Sequence, residues 1–261
     1  TRTVITLGAF IVGSTFGAVH EHWWKALPDL PAVSLLTNFG LIGGLAMSFA
    51  MFGVVVAITL IAERQRHGQI RWSEKEEEPR RHGVARVLGG PWPLVVGAIG
   101  LALANFATLA LAGRPWGVTS GFALWGSKMA GVIGFDPASW PYWSSPSRAV
   151  ALENSLVTDI TTVMNLGIIL GAMAAAGCAG RFGSVWHIPR RSLVAAILGG
   201  LLLGYGARQA YGCNIGAYFS GIASGSLHGW LWLVAAFCGG ILGTWLRPMF
   251  GLSVERTEGS C

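Results

Sequence analysis

Residues 204–216 read Gly204-Tyr205-Gly206-Ala207-Arg208-Gln209-Ala210-Tyr211-Gly212-Cys213-Asn214-Ile215-Gly216. They continue an apolar run at 193–207, yet they are crowded with glycine and carry one Arg. Backbone with such breakers survives at membrane depth only where protein or a water-filled cavity satisfies its N–H and C=O groups. The stretch is therefore expected to be part of a re-entrant or broken helix, 208–226, and not a solvated loop. A second segment of the same character occupies 114–134. Arg114 precedes Gly117, Gly121 and Gly126, and Arg208 precedes Gly212, Gly216 and Gly221, with the same two gaps. Each follows an apolar span that itself follows a basic loop, a shared order that points to an internal repeat.

The whole chain agrees with a membrane setting. Of its 261 residues 52% are hydrophobic and 11% charged, against about a quarter charged in soluble domains. Mean hydropathy is +0.55. These values exclude an ordinary cytosolic enzyme or a disordered chain. Stretches near the roughly 20 apolar residues that cross a bilayer lie at 3–19, 38–62, 92–113, 162–180, 193–207 and 229–246. The predicted fold is all-α, a polytopic helical membrane protein with two Gly-rich re-entrant segments and pseudo-symmetric repeats. It forms a single integral membrane domain over 1–261, with repeat units at 38–134 and 162–249.

The net charge of +6 is carried by loops between apolar runs, so it reads as topology and not as a nucleic-acid surface. Residues 63–90 hold seven Arg or Lys against five acids, and 181–191 hold three Arg and no acid; the excess of Lys and Arg makes both loops cytoplasmic. The acidic run 74–78 reads as solvated. Trp23, Trp24, Trp140, Tyr142 and Trp143 fall in the opposite connections and are expected at the outer headgroup level.

Chemistry concentrates in few residues. Cys213 and Asn214 form a small polar pair framed by Gly212 and Gly216. An Arg in an apolar segment, here Arg208, must face an anion, a carboxylate or the interface. A purely structural alternative makes 212–216 a G-x-x-x-G helix contact with Cys213 as a small core residue. Thr119 and Ser120, between Gly117 and Gly121, offer hydroxyls beside Arg114. His228 is read as interfacial, Cys178 and Cys238 as packing, Met129, Met164 and Met173 as core, and Glu153 and Asp159 as solvated juxtamembrane acids. Cys261 is terminal. The four cysteines stand singly, which argues against structural zinc or a disulfide framework; no metal and no cofactor is expected.

The stretch YGARQAYGCNIG, followed by Ser220-Gly221-Ile222-Ala223-Ser224-Gly225-Ser226-Leu227-His228-Gly229-Trp230, resembles the C-terminal signature of the YeeE/YedE family of sulfur-compound transporters. GRPWGVTSG, residues 113–121, is similar to that family's third re-entrant motif. The resemblance implies a multi-pass protein of the bacterial inner membrane that takes up thiosulfate or a related sulfur oxyanion. The anion would pass an hourglass-shaped, Cys-lined constriction in which Cys213 contacts the sulfur, with a cytoplasmic sulfur-carrier protein as partner. The family's N-terminal R-x-x-F-C-like and G-G-C-like motifs do not occur here, and the chain is expected to match the C-terminal two-thirds of a full transporter. Two alternatives compete: a membrane sulfur-transfer or redox subunit with Cys213 as persulfide carrier, and a structural scaffold. Loop charge makes a direct prediction. Labels placed within 63–90 and 181–191 react only from the cytoplasm and labels near Trp140 only from outside; reactivity of the two basic loops from opposite faces overturns the topology.

Overall fold

A computed structural model describes residues 2–28, 31–68, 92–180 and 188–252. Its helices are α1 (Arg2–Val19), α2 (Glu21–Lys25), α3 (Leu35–His67), α4 (Leu94–Ala112), α5 (Thr119–Val132), α6 (Pro146–Glu153), α7 (Ile160–Cys178), α8 (Arg190–Gln209), α9 (Ser220–Ala223) and α10 (Leu227–Leu246). A π-helical turn, Asn214–Phe219, leads into α9. Six stretches are long and apolar enough to span a bilayer: Arg2–Val19, Leu35–Arg66, Leu94–Ala112, Ile160–Cys178, Arg190–Ala223 and Leu227–Phe250. The chain is an all-α polytopic membrane protein.

Helix ends follow local chemistry. Asp159 accepts from the N–H of Thr162 at 2.7 Å and starts α7, and the Ser34 and Ser226 hydroxyls cap α3 and α10 in the same way. Gly113 and Gly68 close α4 and α3 in the left-handed conformation, with φ of 66° and 72°. Most of the basic loop at 63–90 lies outside the described residues, as do most of 181–191, the acidic run 74–78 and Cys261; residues 63–67 continue α3 instead of starting a loop.

Packing begins with α1 against α8. These helices run parallel, because Gly200 faces Thr6 and Ala9, Gly204 faces Phe10 and Ser14, and Gly17 faces Tyr205 and Arg208. A Cβ on Gly13 or Gly204 would strike backbone atoms of the other helix. In lipid no hydrophobic force drives helices together, so this approach, made possible by small residues, supplies the dispersion contact that holds the pair. Ser14 and Ala18 are fully buried along it.

Helix α5 closes the group from the side. Phe122 meets Phe10 edge-on at 5.4 Å, and Gly126 lies against Thr15 and Ile11. Its other face is joined to α7 by hydrogen bonds. Asn165 Nδ2 donates to the Val118 carbonyl at 2.9 Å, Trp125 Nε1 donates to Thr162 Oγ1 at 2.9 Å, and Ser120 Oγ donates to Thr161 Oγ1 at 3.2 Å. By contrast α4 has no buried residue, and most of α3 presents its apolar side chains outward, as lipid-facing helices do.

Several expectations change at this level. Tyr142 and Trp143 are buried against Ala18 and Leu124 and are not headgroup anchors; Trp143 Nε1 donates to Ser127 Oγ at 3.0 Å. A buried indole needs such a partner, and the turn Pro141–Ser144 carries both rings under α6. Trp23 and Trp24 are exposed. Cys178 and Cys238, expected to pack, are exposed, as are Met129 and Met173. Their helices present these faces outward, where hydrophobic character suits lipid as well as core. Met164 is half-buried.

The glycine contacts separate two kinds of position. Gly204→Val should destabilise the protein by about 1–3 kcal/mol or prevent folding, because its side chain would collide with backbone of α1. Gly243→Ala, with nothing within 4 Å, should leave thermal unfolding in detergent unchanged. Equal melting shifts for the two would remove the α1–α8 contact as the basis of the packing.

Candidate functional site

Both glycine-rich segments open onto one cavity of about 560 Å³. Residues 114–120 line it from the break between α4 and α5, Arg208 from the last turn of α8, Tyr211 and Gly216 from the break that follows, and Ser220 from the start of α9. Tyr142, Trp143, Arg148, Glu21 and Asp159 complete the polar wall. The two breaks are tied directly, since Ser220 Oγ donates to the Trp116 carbonyl at 2.9 Å. Trp116 N–H is held in turn by Asn105 Oδ1 at 3.2 Å.

Arg208 is the central cation. It belongs to the last turn of α8, not to the broken stretch where the sequence pattern placed it. Its stem crosses α1 at Gly17, where a Cβ would sit 2.6 Å from Arg208 Cβ and 2.7 Å from Cγ. Its Nη1 donates to Tyr142 Oη at 2.6 Å and its Nη2 to Thr119 Oγ1 at 3.2 Å. Both partners are neutral. Arg208 makes no ion pair among the described residues, and its buried Nε has no hydrogen-bond partner there. A guanidinium held by hydroxyls keeps its full charge, which the cavity then presents.

A second guanidinium shares the same ring. Arg148 lies over Tyr142 at 4.3 Å from the ring centre and Arg208 at 5.0 Å. Arg148 is compensated: its Nη1 donates to Glu21 Oε2 at 3.2 Å, to Oε1 at 3.3 Å and to the Tyr142 carbonyl at 3.1 Å. Thr119, buried at 4% exposure, begins α5, and no side chain caps that helix start. Its first N–H groups, beside the cavity, add positive potential without a titrating group.

The break after α8 is strained. Tyr211 has φ of 56°, and it is the residue other than glycine with positive φ among those described. Such a conformation costs about 1–2 kcal/mol. His228 Nε2 donates to the Ala210 carbonyl at 2.9 Å, and its ring meets Tyr211 edge-on; the histidine fastens the start of α10 to the break.

Of the residues singled out from sequence, Arg114, Thr119, Ser120, Arg208 and Gly216 line the cavity, whereas Gly212, Cys213 and Asn214 do not. Cys213 is half-buried with a free thiol, and its carbonyl accepts from the N–H of Ala217 at 2.9 Å and from that of Tyr218 at 3.4 Å, the second being the i+5 bond that begins the π-helical turn. Arg208 donates to Tyr142 and Thr119 and not to this thiol, so a persulfide role gains no cation from it. Glu21, Tyr142 and Arg148 were missed as cavity residues. Arg148 carried a signal, being the lone basic residue between 133 and 160; Glu21 and Tyr142 carried none. Glu153 is exposed, while Asp159 caps α7 and lines the cavity. Among the described residues no group of three or more His, Cys, Asp or Glu gathers as metal ligands do.

A family model described as sulphur transport matches residues 1–242. Over 169 residues the chain is 32% identical to "Probable transporter YedE" of Escherichia coli (strain K12), covering 64% of this chain and 41% of that protein. Over 145 residues it is 33% identical to "Thiosulfate transporter TsuA" of Spirochaeta thermophila, covering 54% of this chain and 35% of that protein. The chain thus matches about two fifths of the length of these relatives. No solved structure matches it.

The two framing glycines differ. A Cβ on Gly212 would lie 2.5 Å from the backbone nitrogen of Ala217, whereas one on Gly216 meets only the Tyr211 carbonyl oxygen at 3.9 Å. The close-approach position is therefore Gly212. Gly212→Ala should lower the melting temperature in detergent by several degrees, and Gly216→Ala should not; the reverse order would refute this geometry of the break.

Proposed function

The chain belongs to the sulphur transport family, and on that premise we propose that it carries thiosulfate or a related sulfur oxyanion across the bacterial inner membrane through this cavity. One observation carries the reading. Arg208 is fixed at the meeting point of two broken helical segments, bonded to neutral hydroxyls and facing a polar cavity. A dianion drawn there meets a guanidinium, the Thr119 and Ser120 hydroxyls and the N-terminus of α5. Removal of water from such a site strengthens each of these contacts.

Passage requires that binding be strong enough to admit the anion and weak enough to release it. Cys213, three residues before the cavity-lining Gly216, serves in this reading as the next contact. Its neutral S–H is a weak, polarizable donor suited to the soft terminal sulfur of thiosulfate. The two glycine-rich segments act as re-entrant halves of one constriction, the units 38–134 and 162–249 as its repeats, and a cytoplasmic sulfur-carrier protein receives the cargo.

Vesicles containing the native gene product should take up labelled thiosulfate in preference to sulfate. Cys213→Ala should abolish uptake with the protein still folded, Cys213→Ser should be impaired, and thiosulfate should slow alkylation of the thiol. Arg208→Gln should raise KM by about tenfold, the scale of one charge-assisted contact. Wild-type uptake by Cys213→Ala removes the relay and leaves that cysteine to packing; wild-type KM in Arg208→Gln removes the cavity as the anion site.

A further inference from the structure

Among the described residues Glu21 is the cavity-lining acid that forms an ion pair. Both of its oxygens lie within hydrogen-bond distance of Arg148 Nη1, at 3.2 and 3.3 Å, and Lys25 Nζ lies 3.2 Å from Oε1. Its side chain is 13% exposed, against 34% for Arg148 and 54% for Lys25. The other lining acid, Asp159, caps the first turn of α7 and pairs with no cation among the described residues, so its charge stays in the cavity wall. Arg148 and Arg208 rest against a single ring, that of Tyr142. Without Glu21, both guanidinium groups on Tyr142 would be uncompensated, in a cavity that Arg114 also lines.

Resting on the reading of the cavity as an anion site, we propose that Glu21 sets the depth of its binding well. By holding Arg148 in an ion pair it leaves Arg208 as the uncompensated guanidinium on Tyr142. Each further uncompensated cation would hold a dianion more tightly, because Coulomb attraction grows with each charge where water is scarce, and Arg114 already lines the same cavity. Glu21 acts through Arg148 and does not touch the anion, so it is a positioning residue that governs release. Its placement follows from the fold: α2 begins two residues after α1 ends, so the helix that seats Arg208 at Gly17 also delivers Glu21.

The sign of the effect separates this role from a structural one. In vesicle uptake of thiosulfate, Glu21→Gln should lower KM by about threefold or more and lower Vmax as well, because release slows. Arg148→Gln should raise KM by a similar factor, since Glu21 is then compensated by the exposed Lys25 alone. The double variant should return close to the wild-type KM, and every shift should shrink as ionic strength rises. A brace would instead reduce the amount of folded protein in both single variants without moving KM. KM shifts of the same sign in both, or none, overturn the proposal. If Glu21→Gln does not fold, Arg148→Gln decides alone, an unchanged or lowered KM counting against it. Arg208→Gln tests the underlying reading independently: an unchanged KM there ends the anion site itself, whereas a raised KM there combined with no opposed shift at Glu21 and Arg148 ends the present proposal only.

Discussion

The close approach of α1 and α8 at Gly13, Gly17, Gly200 and Gly204 is the constraint on which the remaining arrangement depends. Lipid gives two helices no hydrophobic reason to meet, so they are held by surface contact at backbone distance. That distance does more than hold them. At Gly17 it makes room for the stem of Arg208, and the guanidinium emerges beyond α1, within reach of Tyr142 and Thr119. A side chain at either crossing would move the cation away from both hydroxyls.

Around this pair the polar groups are matched with few exceptions. Thr161, Thr162 and Ser127 are buried and each bonds a partner on another element. Asn165 does so through its Nδ2 while its Oδ1 stays unpartnered. In an apolar medium an unmatched group costs several kcal/mol, so these bonds fix the register of α5 on α7 more tightly than apolar packing alone would. The break after α8 is the place where regular backbone gives way: a left-handed Tyr211, the close Gly212 and a π-helical turn follow one another. Strain concentrated in a few residues beside a cavity is a common accompaniment of a functional site.

Charge in the cavity is arranged in two tiers. Arg148 is neutralised by Glu21, and Arg208 is satisfied by hydroxyls that leave its charge intact. For a protein proposed to pass a dianion, such partial compensation limits the hold of the cavity, since any one contact that is too strong becomes a trap; Arg114 lines the cavity as well, and Cys213 does not.

Much of this was legible in the residues themselves. Hydropathy set the spans, because about 20 apolar residues have no better place than a bilayer. Glycine spacing marked both broken segments and proposed their kinship, and the cost of an Arg in an apolar run singled out Arg208. The family resemblance rested on 113–121 and 204–230. Tertiary structure alone decided which of these residues meet. Gly212 and Gly216 look equivalent in sequence, yet one lies against the Ala217 backbone and the other lines the cavity. Tyr142 and Trp143 look like interfacial rings, yet the Pro141–Ser144 turn buries them under α6. Glu21, Arg148 and Arg208 are far apart along the chain, and their shared site arises only when α1, α8 and the connection between α5 and α7 pack together. Spacing reports which face of its own helix a residue occupies; which other element comes to that face is set by the whole set of contacts at once.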